Sequence, residues 1–358
     1  MKNMQRNFAL DCLRALAIML VFTGHTVNSF GSPAYLYPLQ FGGTGVDLFF
    51  VLSGWLIGTQ LFKEQSTFGN IQVWRFWVRR WMRTMPAYYA VLFLTLFQQY
   101  LTKENFNFPW LHLVFLQNYQ VDLQFFYISW SLALEEQFYL LIAPLLVFTF
   151  RFSRMVQGTI LCALLFAPSL FRYFDLYQSL NQTHVRLDCC AMGIFLAYLK
   201  HSYKRLWLTF STGSKWGFPL ALATYFFFFV AWYNKQWNVP EPSKLFLAAL
   251  FGIWIIWSDS NQLKFNEATS KLVIHISTRS YAMYLLHVDA LVITQRFFSE
   301  NVNFIVYYSI ALLITLVGAE VLYRLIETPF MNARKYFSLS KPRMNIEPLF
   351  PKTEGLTK

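Results

Sequence analysis

Charge is what this sequence has least of. Only 13% of its 358 residues are Asp, Glu, Lys or Arg, whereas soluble domains carry about 25%. That shortage argues against a soluble globular domain, which needs a solvated surface. Cysteine is scarce as well. Cys12, Cys162, Cys189 and Cys190 fall within or beside apolar stretches, lack metal-site spacing and do not read as a secreted disulfide framework. The chain is also expected to lack a cleavable signal peptide, because its first apolar run is too long and no small-residue cleavage site follows. Internal repeats, low-complexity tracts and a soluble domain are missing too. What is present is apolar: 56% hydrophobic and 20% aromatic residues, with a mean hydropathy of +0.36. In such a chain the formal charge of +12 points to basic loops of a membrane protein and not to a nucleic-acid binder.

Apolar segments long enough to span a bilayer occur at about 9–29, 42–62, 80–101, 130–150, 156–172, 187–200, 216–233, 242–258, 280–298 and 303–325. Every second connection is basic: Lys2 and Arg6; Lys63, Arg75 and Arg79; Arg151 and Arg154; Lys200, Lys204, Arg205 and Lys215; Lys264, Lys271 and Arg279; then the C-terminal tail. The intervening connections hold at most two basic residues each. This alternation predicts an all-α polytopic membrane protein of about ten transmembrane helices with both termini cytoplasmic. One membrane domain is expected over 1–330, followed by a polar cytoplasmic tail over 331–358.

The polar groups inside these spans are the next signal. In LDCLRALAIMLVFTGH, Asp11, Arg14 and His25 share one helical stripe, and Arg14 and His25 are ~16 Å apart along it. The expected topology puts His25 near the outer leaflet, with Asp47 of GGTGVDLFFVLSG and Glu135 and Glu136 of SWSLALEEQFYLL at similar depth. On the inner side lie Arg14 and, in RRWMRTMP, Arg80 and Arg83. Charges at such depths normally line a cavity or pair with each other. The inner group is suited to phosphates. The outer group offers an imidazole backed by carboxylates, able to take a proton from a hydroxyl that attacks an acyl carbon. Together they suggest group transfer across the bilayer. Ser53 lacks a nucleophile-elbow context and is expected to hydrogen-bond within its helix or to allow close helix approach beside Gly54.

These stretches, in this order, resemble the acyltransferase-3 family of integral membrane proteins over about residues 8 to 335. The carriers are LDCLRALAIMLVFTGH, GVDLFFVLSGWLI, RRWMRTMPAYY, WSLALEEQFYLLIAP, THVRLDCCAMGIFLAYL, SYAMYLLH with His287, and YRLIETPF with Glu327-Thr328-Pro329. Cys12 stands where the family often has Gly. The resemblance implies a membrane O-acyltransferase of the bacterial inner membrane, in a stand-alone form without a periplasmic hydrolase-like domain. It would move an acyl group, acetyl being the expected one, from cytoplasmic acyl-CoA to a hydroxyl of an extracytoplasmic or lipid-linked glycan. It further implies that His25 is the catalytic residue, as general base or acyl relay, and that Arg14, Arg80 and Arg83 handle the donor. Glu135 is expected to orient His25, while Asp11, Asp47, Ser53 and Tyr139 support the pocket. No metal and no nucleic-acid partner is expected. The competing reading of the same buried His, Asp, Glu and Arg residues is a transporter or channel.

Overall fold

In lipid a backbone must satisfy its own hydrogen bonds, so long apolar runs fold as helices. The computed structural model describes residues 7–102, 108–231, 239–298 and 302–337, and no strand occurs among them. The basic residues expected at 2, 6, 103 and 235, and the polar tail from 338 on, lie outside the described residues.

Ten helices of fifteen residues or more follow one another: α1 (Phe8–Ser29), α2 (Gly45–Phe68), α3 (Val73–Thr102), α4 (Ser129–Thr149), α5 (Arg154–Tyr173), α6 (Asp188–Ser202), α7 (Lys204–Ala231), α8 (Lys244–Ser260), α9 (Glu267–Phe298) and α10 (Phe304–Leu322). Local chemistry sets their ends. Asn7 caps α1 by accepting from the amides of Ala9 and Leu10, as Ser153, Ser243 and Asn303 cap α5, α8 and α10. Gly69 closes α2 at φ +75°, where a Cβ would be strained.

Among the described residues six helical stretches are long and apolar enough to cross a membrane: α1, the run Ala34–Phe68, α4, α5, α7 and the run Phe304–Ala333. The other four fall short for visible reasons. α6 and α8 have 15 and 17 residues, and α3 and α9 carry the polar groups described below. The outer surfaces of the apolar helices match hydrocarbon. Trp216 on α7 is 86% exposed and Leu313 on α10 is 63% exposed, which suits an integral membrane protein.

α3 starts at Val73 and α9 at Glu267, well before the expected 80 and 280. Glu64 closes the turn before α3 by accepting from the Gln72 amide (2.9 Å) and pairing with Arg75. Arg80 and Arg83 therefore sit two to three turns inside α3 instead of at its start.

The tightest packing joins α2 to α6. A Cβ on Gly193 would lie 2.2 Å from the Val51 carbonyl oxygen, and one on Gly54 2.0 Å from that of Cys190. Only glycine lets these backbones meet. α1 and α9 run side by side and parallel, since Asp11 meets Ser277 and His25 meets His287. Parallel alignment is what an odd number of crossings between them requires, and seven of the long helices lie between α1 and α9.

Candidate active site

One helix organises the polar interior. Along α9, Ser277, Tyr281, Tyr284 and His287 recur every three or four residues, so they form one broad face. Each reaches a different partner. Ser277 Oγ donates to Asp11 Oδ1 (2.7 Å) and Arg14 Nη1 donates to the same oxygen (3.2 Å). The Tyr281 hydroxyl donates to the Thr84 carbonyl of α3 (2.9 Å). Tyr284 donates to the Ile128 carbonyl (3.0 Å) beside Ser131 at the start of α4. The ten steps from Ser277 to His287 span ~15 Å, about half the hydrocarbon thickness.

At the C-terminal end of this face, His287 is fully buried and His25 half-buried. His287 Nε2 lies 2.8 Å from His25 Nδ1, and His287 Nδ1 lies 2.7 Å from the Tyr284 carbonyl oxygen. The two rings are 4.9 Å apart between centroids. The Tyr127 ring meets His25 edge-on, at 5.8 Å and 79°. Tyr127 follows Phe126, whose φ of +43° is in the left-handed region that aromatic residues seldom adopt. The loop before α4 holds that conformation through buried polar contacts. Gln117 Nε2 donates to the Ser129 carbonyl, and Gln137 Nε2 to the Phe115 carbonyl.

Halfway down, a second centre joins α2, α3 and α4. The Tyr139 hydroxyl donates to Glu135 Oε2 (2.7 Å) and accepts from Ser53 and from Arg80. The Arg80 guanidinium also lies over the Tyr139 ring, 4.1 Å from its centroid. Thr84 donates to Glu136 Oε1 (2.6 Å), whose second carboxylate oxygen has no partner among the described residues. Arg83 shares this space with Arg80, Glu327 and Glu135. Below it, Arg334 follows the last long helical run. Burial, then the proximity of Arg83, Arg79 and Arg80, pushes its guanidinium down to about 10. The Nε atoms of Arg79, Arg80 and Arg334 are buried and have no acceptor among the described residues. A like-charged cluster with orphaned donors is unfavourable until an anion completes it.

The structure therefore regroups the expected site residues. Arg80, Arg83, Glu135, Ser53 and Tyr139 come together. Glu135, expected beside His25, is held by Tyr139 instead, because α4 carries it one to two turns below the imidazole pair. Arg14 is held between α1 and α9, its guanidinium donating to Asp11 and Ser277. Asp47, expected near His25, pairs with Arg186 (2.9 Å) and lies 3.9 Å from Lys244, so it ties α2 to α8 and to the turn before α6. Among the described residues no hydrogen bond or ion pair joins Asp47 to His25. His287, Glu327 and Arg334 acquire places that the sequence reading had not given them. SYAMYLLH and ETPF had marked the first two without saying what they face. Among the described residues no group of three His, Cys, Asp or Glu side chains comes together to hold a metal ion.

Comparison with known proteins adds identity to this geometry. A family model described as "Acyltransferase domain" matches residues 7–324. A Staphylococcus aureus (strain MSSA476) protein named "Putative O-acetyltransferase" is 27% identical over 365 residues, covering 92% of this chain and 58% of its own length. "O-acetyltransferase OatA" of Staphylococcus aureus (strain NCTC 8325 / PS 47) is 26% identical over 357 residues, covering 89% and 56%. The chain thus spans a little over half the length of these relatives. No solved structure matches. The family match covers all ten long helices described above, with His25, Arg80, Arg83, Glu135 and His287, while Glu327 and Arg334 lie past its end, and the chain belongs to the acyltransferase-3 family.

Proposed function

We propose that the protein is a membrane O-acyltransferase of the bacterial cytoplasmic membrane. It takes an acyl group, acetyl being the expected one, from cytoplasmic acyl-CoA and passes it to a hydroxyl of an extracytoplasmic or lipid-linked glycan. The observation that carries this reading is the arginine cluster, whose buried Nε donors have no acceptor among the described residues, beside α9, whose polar face reaches both α3 and the imidazole pair. An acyl-CoA is long, polyanionic at one end and reactive at the other, which suits two centres at different depths. Arg80, Arg83 and Arg334 hold the phosphates through charge-assisted hydrogen bonds. Tyr139, Ser53 and Glu135 fix Arg80 and keep the cluster from collapsing onto a single carboxylate. Arg14 and Asp11 brace α1 against α9, and Asp47 braces α2 against α8.

The chemistry then falls to His25. The acceptor O–H proton moves to the imidazole as the oxygen attacks the thioester carbon. The C–S bond breaks, and the same proton leaves on the thiolate sulfur as free CoA. Arg80, Arg83, Glu135 and His25 all keep accessible surface despite lying inside the bundle, which supports a lined space between them. The test is acetyl-CoA consumption by the full chain in proteoliposomes, beside mass spectrometry of glycans from a deletion strain and its parent. Acetyl-CoA turnover and an acetyl group missing from one glycan of the deletion strain are expected. Solute flux without acetyl-CoA consumption, and unchanged glycans, would contradict the reading.

A further inference from the structure

The pairing of two imidazoles 262 positions apart carries more than proximity. A carbonyl oxygen only accepts, so the 2.7 Å contact from His287 Nδ1 to the Tyr284 carbonyl places a hydrogen on His287 Nδ1. One hydrogen lies between His287 Nε2 and His25 Nδ1, at 2.8 Å. If it belonged to His287, that ring would be a buried cation with only a carbonyl and an imidazole for partners, an expensive arrangement in the membrane interior. The hydrogen therefore belongs to His25. A neutral His25 that carries its proton on Nδ1 presents its lone pair at Nε2.

We propose that His287 is the positioning residue for His25. By accepting the Nδ1 hydrogen it selects one tautomer and one ring orientation, so the basic nitrogen is always Nε2. The inference rests on the reading of His25 as the base. When Nε2 takes the acceptor's proton, the Nδ1–H to His287 bond becomes charge-assisted and holds the imidazolium until it gives that proton to the leaving thiolate. A carboxylate partner would do the same at the cost of a net buried charge. An imidazole anchored to a main-chain carbonyl does it with none. Tyr284 sets the anchor twice: its carbonyl receives His287, and its hydroxyl is fastened to Ile128 at the start of α4.

The experiment uses the full chain in nanodiscs, labelled with 15N-histidine. In the wild type, His25 Nδ1 should give a protonated, pyrrole-type resonance and Nε2 a pyridine-type one. In His287→Phe, which keeps a ring but cannot accept, the two nitrogens should average. With acetyl-CoA as donor, kcat should fall ~10–100-fold, as when the hydrogen-bond partner of a metal-bound imidazole is removed, while KM for acetyl-CoA stays within about twofold. His287→Gln, whose amide oxygen can accept from Nδ1, should recover part of the loss. An unprotonated His25 Nδ1 in the wild type overturns the proposal. So does equal impairment in the Phe and Gln variants, which would make His287 a packing residue. A wild type that consumes no acetyl-CoA defeats the transferase reading instead, and the nitrogen resonances still decide the pairing.

Discussion

The two polar centres solve opposite problems with opposite means. The inner one, around Arg80, Arg83 and Tyr139, is crowded with charge and tied by many contacts, yet it leaves donors without acceptors. The outer one holds two aromatic heterocycles and little else, and both nitrogens of His287 are used. On the proposed reading, the centre that grips a polyanion has surplus positive charge, whereas the centre that moves one proton fixes where that proton sits. α9 joins them, because its polar face touches α1, α3 and the start of α4 in turn. The proposed reading thus keeps affinity and chemistry apart in depth, and predicts that each can be damaged separately.

The largest effect is expected at the outer centre. His25→Ala should lower acetyl-CoA turnover ~10²–10⁴-fold, the usual contribution of a general base, and leave CoA binding by calorimetry within a few-fold of wild type. Loss of binding in parallel with turnover would break the comparison. Next comes Arg83→Ala, which removes a charge-assisted contact of ~1.5–3 kcal/mol. It should weaken CoA binding ~10–100-fold, with turnover recovering at saturating donor. Tyr139→Phe deletes the hydroxyl that Arg80, Ser53 and Glu135 share. Arg80 would lose its fixed position, and KM for acetyl-CoA should rise ~5–10-fold, one net hydrogen bond's worth. The smallest effect is expected from Tyr127→Leu, on the loop above His25. Removing one edge-on ring contact worth ~0.5–1 kcal/mol should slow turnover about two- to fivefold and leave CoA binding unchanged.

Much of the architecture could be read from the chain because lipid burial demands long apolar runs. Among the described residues each of the ten apolar runs falls within or across one of ten long helices, and six stretches are long and apolar enough to cross a membrane. Boundaries were less legible where hydropathy and helicity part company. α9 begins at Glu267, ahead of the apolar run at 280, because Ser277 and Arg279 lower hydropathy without interrupting the helix. For the site, periodicity correctly gathered Asp11, Arg14 and His25 onto one stripe, and that stripe does face one helix. What it could not say is which helix. His25 could be paired with a carboxylate on depth alone, and Glu135 was the natural candidate. Its actual partner, His287, stands on a helix whose neighbours are fixed only by three-dimensional packing. The same holds for Glu327, brought beside Arg83 after the chain has passed through all ten long helices.

That one donor reaches from the arginines to the imidazole is the claim on which the account stands, and bromoacetyl-CoA tests it most directly. Held by its phosphates, it would present an electrophilic carbon where the thioester lies, and an imidazole nitrogen would displace bromide. Peptide mass spectrometry after brief exposure of the full chain should find the alkyl group on His25. The modification should be suppressed by excess acetyl-CoA and lost in Arg83→Ala. Modification confined to other residues, with His25 untouched while CoA still binds, would mean that the two centres do not serve one reaction.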